Sequence, residues 1–387
     1  MTETPPRSHP PPNIFLGVPG TRMPSIIAKV PREDSVPYEP EPDEPLFVAQ
    51  DKADIPLLIH HWGSSAATVW LEEKYHIWKG THHHPKDNPM VQGYLKSGSF
   101  IFAWGNPLTL GTKEAYKAVA DEMWAWAKQN HKHLVWCCID DTFAEVLAAG
   151  VGPKNKGWAT LSCIQEDVLH PDHVLFENHD VKQNVRRAQK ESVNVEELRL
   201  WEPDYRPDDI TKKQVDEGLS AWKNSREGKH GGNIASASLD PWLDASNRRY
   251  YVARTPEKIV GILILTPIAH NSYQIKNCIA FPDSPRGTSE VLLYRVIKEM
   301  QAEGKESLTF GASATGELLP EHNLGGSLSL KLLKRGYHAI TKHTGLTKRG
   351  EFRAKFDVEP ERLHVSYPPH SFGWTGLYAL MRLLRAK

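Results

Sequence analysis

Two stretches of the chain repeat the same order of apolar and mixed segments. In the first, an apolar run Phe100 to Trp104 leads through a turn at Asn106-Pro107 into a segment from Lys113 to Gln129 with helical periodicity. A second apolar run from His133 to Cys138 follows, and then a short helical pattern ending at Ala149-Gly150. The second stretch runs from Tyr273 to Ala280, through a turn at Pro282 to Gly287, a helical segment Ser289 to Glu303, a run Ser307 to Gly311, and a helix ending at Arg335-Gly336-Tyr337. Short apolar runs bounded by turn residues predict strands, and apolar residues at i, i+3, i+4 and i+7 predict helices. Val291, Tyr294, Val296, Ile297 and Met300 recur at that spacing and predict one helix face against a sheet. A strand, crossover helix and strand in this order predict a right-handed parallel or mixed unit. Supporting hairpins are expected from Thr68 to Leu71 with Tyr75 to Trp78, and from Tyr250 to Arg254 with Ile259 to Leu265.

The helix-then-Gly ending after the last strand of each repeat resembles the GNAT acyltransferase fold. The expected class is therefore α/β (α+β), with tandem GNAT-like units joined by a basic helix. The units are expected over residues 46–178 and 206–387, with the linking helix and connection over 179–205. In Asp180 to Ser192, Lys182, Arg186 and Lys190 share one helical face while Val181 and Val185 share another. One face suits a core and the other a phosphate backbone, Arg187 adding to the charge. Residues 1–45 are dominated by Pro, Ser, Asp and Glu and are expected to remain a disordered leader.

Lys plus Arg and Asp plus Glu number 47 each among 387 residues, so a polyanionic partner must be met by local patches. One such patch is plain: from Gly325 to Lys348 the chain carries Lys331, Lys334, Arg335, Lys342 and Lys348 with no acid. Four cysteines, Cys137, Cys138, Cys163 and Cys278, form no CxxC pair, which suits a reducing, cytoplasmic compartment. No run approaches the ~20 apolar residues needed to cross a bilayer. The last stretch, Gly373 to Lys387, places Trp374, Leu377, Tyr378, Met381 and Leu384 on one helical face with Arg382, Arg385 and Lys387 elsewhere. It suits a closing helix packed on the second unit or a basic amphipathic helix lying on a membrane. The run His82-His83-His84 lacks Cys or acid partners at zinc spacing, and no metal or cofactor is expected.

The segment Gly350 to Tyr367, GEFRAKFDVEPERLHVSY, concentrates cations, aromatics and acids. It resembles the pattern aromatic, Lys, x, Lys-Phe, x-Pro, x-Trp-Glu-Pro-Arg-Tyr-Leu that closes the aminoacyltransferase domain of the lysyl-phosphatidylglycerol synthases. Phe352, Arg353, Lys355, Phe356, Glu359 and Arg362 occupy its positions. Gly105-Asn106-Pro107 resembles the family's Gly-Asp-Pro, KQNVRRA from Lys182 to Ala188 its Leu-Arg-x-Ala-x-Asn-Arg-Ala helix, and Glu290 the Asp of its Met-Asp helix start. The likeness runs from about Leu57 to Tyr367. Asn106 in place of an acid, Arg186 in place of an Asn, and the reduced Val358 to Arg362 run depart from the bacterial pattern. With no multi-helix membrane domain expected, these features look most like the freestanding fungal relatives that esterify ergosterol with an amino acid from charged tRNA.

The resemblance implies glycine as the donated amino acid, aspartate next, and as partners a charged tRNA and a sterol or other membrane lipid. Such a transfer exchanges one ester for another, so the site must position the reactants, stabilise an oxyanion and accept a proton. Arg353 and Lys355, spaced as if on one strand face, are expected to bind the terminal adenosine phosphates and help hold the oxyanion. On a merely solvent-exposed face they would instead pair with Glu351 or Glu359. Glu290, matching the family's acid, is expected to anchor the α-ammonium or accept the hydroxyl proton. Gly311 and Ser313, at a strand end, and Phe356, Glu359 and Arg362 complete the expected substrate site, Glu359 and Arg362 pairing across a turn. Three alternatives stay open: a phosphatidylglycerol acceptor, an acyl-CoA-dependent enzyme, and a non-catalytic tRNA-binding module. The loop Pro285 to Glu290 has one glycine and then an acid, which disfavours a CoA pyrophosphate.

Overall fold

The computed structural model describes residues 50–387 apart from 153, 155, 175, 227–239, 325–333, 335–345, 370 and 386–387. The expected leader and Lys331, Arg335 and Lys342 therefore lie outside the described residues. The first half supplies β1 (His76–Lys79), β2 (Val91–Ser97), β3 (Phe100–Trp104), β4 (His133–Ile139) and β5 (Ala159–Leu169). The second supplies β6 (Asn194–Leu198), β7 (Arg249–Arg254), β8 (Ile259–Ile268), β9 (Ser272–Ala280), β10 (Leu308–His322) and β11 (Glu359–Tyr367). Helices α1 (Ile55–Trp62), α2 (Lys113–Gln129), α3 (Asp141–Ala149), α4 (His179–Lys190), α5 (Asp209–Arg226), α6 (Thr288–Ala302), α7 (Leu346–Arg353) and α8 (Gly373–Arg385) connect or cover them.

The strands join in one mixed sheet in the order β1-β2-β3-β4-β11-β5-β10-β9-β8-β7-β6. The strand, crossover helix and strand of each expected repeat are present, while the helix expected to end at Arg335-Gly336-Tyr337 lies outside the described residues: β2 and β3 are antiparallel, α2 crosses over, and β4 pairs parallel with β3. In the same way β8 and β9 are antiparallel, α6 crosses over, and β10 pairs parallel with β9. The halves then exchange their last strands. β5 pairs with β10, while β11 enters between β4 and β5, antiparallel to both. An α/β architecture of GNAT-like units is thus built as one sheet whose centre is made by both halves.

Helix positions follow from pattern and caps. Thr112 caps α2 by accepting from the Ala115 N–H at 3.2 Å, and Asp140 caps α3 by accepting from Phe143 at 2.8 Å. On α6, Val291, Val296, Ile297 and Met300 are buried as their spacing predicts, and Tyr294 lies edge-on to Phe176 at 4.7 Å. On α4, Val181, Val185 and Ala188 are buried while Arg186 and Lys190 face solvent.

Several expectations are corrected. Residues Thr68 to Leu71 do not form a strand: Ser65–Val69 is a 3-10 turn, in which the Thr68 hydroxyl donates to the Ser65 carbonyl. The fully buried Trp70 follows it, its indole N–H donating to the Trp104 carbonyl at 2.8 Å. The partner of β1 is β2, and β2, β5 and β6 are strands that the apolar runs did not announce. Gly311 does not end its strand, because β10 continues through it to His322 with breaks in register. Arg353 and Lys355 do not alternate on a strand: α7 ends at Arg353 and a 3-10 turn holds Ala354–Phe356. The i, i+4 pair Phe352 and Phe356, both turned to the core, overrides the alternation of cations. Finally, α8 packs on β2 and β3 of the first half, not on the second unit, and leaves Trp374 and Tyr378 exposed.

Candidate active site

The sheet parts between its seventh and eighth strands in spatial order. β9 and β10 pair at Tyr273 with Leu308 and at Gln274 with Thr309, and then part company although both strands continue. Beside that parting, β9 is irregular against β8: Leu265 opposes Ile275 and Ile264 opposes Asn277, so Lys276 is an extra, bulged residue. A bulge re-aims a side chain and ends regular pairing. Across the opening Gly311 has φ of +74°, and a Cβ built there would lie 2.6 Å from the Gln274 amide nitrogen. Glycine takes that left-handed backbone without strain, and a side chain there would displace the Gln274 amide.

Alternation along the strands puts polar groups on one face of the opening. Glu166 of β5 accepts from the Thr309 hydroxyl at 2.5 Å, and the Thr309 hydroxyl also accepts from the Gly311 N–H at 2.9 Å. The Thr68 hydroxyl of the overlying 3-10 turn contacts the Gln274 amide oxygen. Farther along, Lys276 Nζ is 3.5 Å from Glu72 Oε1, both side chains being 5% exposed, and neither atom has a hydrogen-bond partner among the described residues. Burial lowers the Lys276 ammonium to about 8, the neighbouring Glu72 opposing the shift. Burial likewise pushes the Glu166 carboxyl up.

On the opposite face Asp167, 4% exposed, holds Arg353 Nη1 at 2.8 Å. The same guanidinium donates to the carbonyls of Phe310 at 3.1 Å and Gly311 at 3.4 Å and lies over the Phe310 ring. Arg353 is therefore bound to the wall of the opening through an acid from β5, and not through Glu351 or Glu359. Lys355 is half-buried beside it. Phe356 is 1% exposed and packs against Phe310 and Phe352, a core position for a residue expected to touch substrate. Ser313 makes a long 3.5 Å contact to the Gln165 carbonyl. Glu359 and Arg362 do not pair with each other; both lie on β11, and Arg362 reaches Glu321 at 3.6 Å.

Glu290 sits in the first turn of α6, buried, and accepts from the Asn184 amide of α4 at 2.7 Å; Asn184 in turn accepts from Arg187 at 3.2 Å. A Cβ at Gly287, the α6 cap, would lie 2.1 Å from the Asn184 carbonyl oxygen. The α4 backbone thus covers the helix N-terminus at which a CoA pyrophosphate would bind. Of the expected cations, Lys182 pairs with Glu177 at 2.7 Å, Arg186, Lys190 and Lys334 are exposed, and Lys348 lies in α7. His82 and His84 face solvent, and His83 turns inward to accept from the Met90 N–H at 3.1 Å. Thr309, Glu166, Asp167, Gln274, Lys276 and Glu72 had not been singled out from the sequence. For all but Glu72, which precedes β1, the only signal was a polar residue inside an otherwise apolar strand run.

Parallel strands that part, a bulge beside the parting and a crossover helix are the features of a GNAT-like fold. The model of the family described as phosphatidylglycerol lysyltransferase, C-terminal, matches residues 58–359, and the chain belongs to that family. It is accordingly an aminoacyltransferase. Sequence comparison with curated proteins gives no significant match. The C-terminal domain of a lysylphosphatidylglycerol synthetase from Agrobacterium fabrum is similar in structure, with a TM-score of 0.67 at 14% identity over 88% of this chain and 98% of that one. The L-PGS structure from Bacillus licheniformis gives 0.65 at 13% identity, covering 86% and 95%. FemX gives 0.52 at 11%, covering 85% and 97%.

Proposed function

We propose that this chain transfers glycine from glycyl-tRNA to the 3β-hydroxyl of ergosterol, with the aminoacyl ester lying in the opening between β9 and β10. The observation that carries this reading is the parallel pair that stops after two positions beside the bulged Lys276. In this reading that parting is the slot for the ester, with Thr68, Gln274, Thr309 and Glu166 beside it on one face. The close approach of Gly311 to Gln274 favours the smallest aminoacyl group. The covered α6 N-terminus argues for a donor held through an RNA and not through CoA.

In this reading Lys182, Arg186, Arg187, Lys190, Lys331, Lys334, Arg335, Lys342 and Lys348 meet the tRNA phosphates, and Lys355 the terminal adenosine. Arg353 acts chiefly by holding the Phe310-Gly311 carbonyls and so the shape of the slot. Glu290 acts through Asn184, clamping α4 to α6. The sterol preference rests on the departures from the bacterial pattern at Asn106, Arg186 and Glu361. Lipid would be approached from the bilayer surface by a cytoplasmic protein, and no helix among the described residues is long and apolar enough to cross a membrane.

Incubation of the purified chain with ergosterol vesicles or phosphatidylglycerol vesicles, and with tRNA charged with labelled glycine, aspartate or lysine, tests the proposal. The expected product is an alkali-labile glycyl sterol that ribonuclease abolishes. Label on phosphatidylglycerol instead, or on no lipid with any donor, overturns it.

A further inference from the structure

Among the described lysines, Lys276 is the one whose ammonium is buried with no hydrogen-bond partner. Where Arg249 is satisfied by Glu197, Glu299 and Glu303 at 2.7–2.8 Å, the buried Lys276 faces one carboxylate at 3.5 Å and makes no hydrogen bond among the described residues. A buried ammonium left in that state is costly, and a structure that keeps one commonly uses it. Its place is equally specific. The residue is the inserted one of a bulge, just past the last β9–β10 pair, on the polar face of the slot. The charged groups around it are Glu72, Lys74 and Arg248, with Lys52 donating to the Glu72 carbonyl at 2.7 Å.

We propose that Lys276 is the proton acceptor of the transfer, an assignment that rests on the reading of the site given above. The neutral amine takes the proton of the acceptor hydroxyl as that oxygen bonds to the aminoacyl carbonyl carbon. When the tetrahedral intermediate collapses, the bond from carbon to the ribose oxygen breaks and the ammonium returns the proton to that oxygen. Lysine ends neutral, one ester has replaced another, and no further reactant is consumed. Glu72 remains a carboxylate throughout and stabilises the transient ammonium. Because burial sets the amine near 8, the active neutral form grows as pH rises through about 8.

The test is the initial rate of lipid aminoacylation across the pH range bracketing that value, in short incubations because aminoacyl esters hydrolyse in base. Wild type is expected to show a rising limb with its midpoint near 8. Glu72→Gln removes the anion that favours the ammonium, and its limb is expected to move to lower pH. Lys276→Arg cannot lose its proton at these pH values and is expected to fall by about a hundredfold or more. Lys276→Met combined with Glu72→Gln avoids an uncompensated buried charge, and is expected to fold, bind charged tRNA and lose transfer to the same degree. Transfer by that double variant with an unchanged rising limb overturns the assignment while leaving the transfer reading intact. Wild type inactive with every donor and vesicle overturns the transfer reading and the assignment together.

Discussion

The two parallel strand pairs of this sheet begin alike and end differently. β3 and β4 pair at five successive positions, from Phe100 with His133 to Trp104 with Cys137. The Gly105 N–H then extends the ladder to the Cys137 carbonyl at 2.8 Å. Beyond it the Asn106 amide donates to Asp140 at 2.6 Å and its oxygen accepts from the Asp140 N–H at 3.1 Å. The first half is zipped shut. β9 and β10 stop after two pairs, and a bulge with a buried lysine stands where the ladder would continue. One topology therefore yields a closed pair in one half and, in the other, a pair that parts, where the proposed slot lies.

The comparison can be broken from either side. The largest effect is expected beside the proposed slot: Asp167→Ala leaves the Arg353 guanidinium its carbonyl partners but no counter-charge, and the loss of a buried ionic partner costs about 3–5 kcal/mol. Urea unfolding should show that loss with an unchanged m-value, together with loss of transfer. Gly311→Val forces a β-branched residue to φ of +74° against Gln274, and is expected to abolish transfer at a stability cost of about 1–3 kcal/mol. In the closed half, Asn106→Asp sets two carboxylates side by side in place of a donor and an acceptor. A loss of about 1–3 kcal/mol is expected, growing as pH rises and the introduced carboxyl ionises beside Asp140, with the pH profile of transfer unmoved.

The smallest effect on folding is expected on α8. Trp374 and Tyr378 are 54% and 74% exposed at i, i+4 with exposed Arg382 one turn farther on, a stripe that suits the lipid–water interface. Replacing both aromatics by Ser should leave the thermal midpoint unchanged while weakening vesicle sedimentation. Unchanged sedimentation would remove the membrane role of that helix.

The repeat was legible because apolar runs and 3.6-residue periodicity report burial, and burial governs β3, α2, β4, β9 and α6 alike. The strands that carry the slot were harder to see for the same reason. β5, ATLSCIQEDVL, reads only in part as an apolar run, because Glu166 and Asp167 point to opposite faces and each is satisfied by a partner far along the chain, Thr309 and Arg353. No local pattern encodes such a pairing. The motif around Arg353 marks it as important, yet its place on a helix end is set by Phe352 and Phe356 sharing a core face, which the alternating cations mask. Lys276 showed in the sequence only as a polar residue in an apolar run, since a bulge is a property of two strands in register and not of either alone. Strand exchange is invisible for a similar reason: the insertion of β11 between β4 and β5 is a fact of pairing over nearly the whole chain.

The most direct test of the difference between the halves is to locate the aminoacyl group. A tRNA bearing a photoreactive aminoacyl ester, irradiated with the intact protein and digested, should leave label on peptides containing Gln274 and Lys276 or Thr309 to Ser313, and lose it under competition by natural charged tRNA. Label on Phe100 to Asn106 or His133 to Asp140 would place the chemistry at the closed pair and contradict the account.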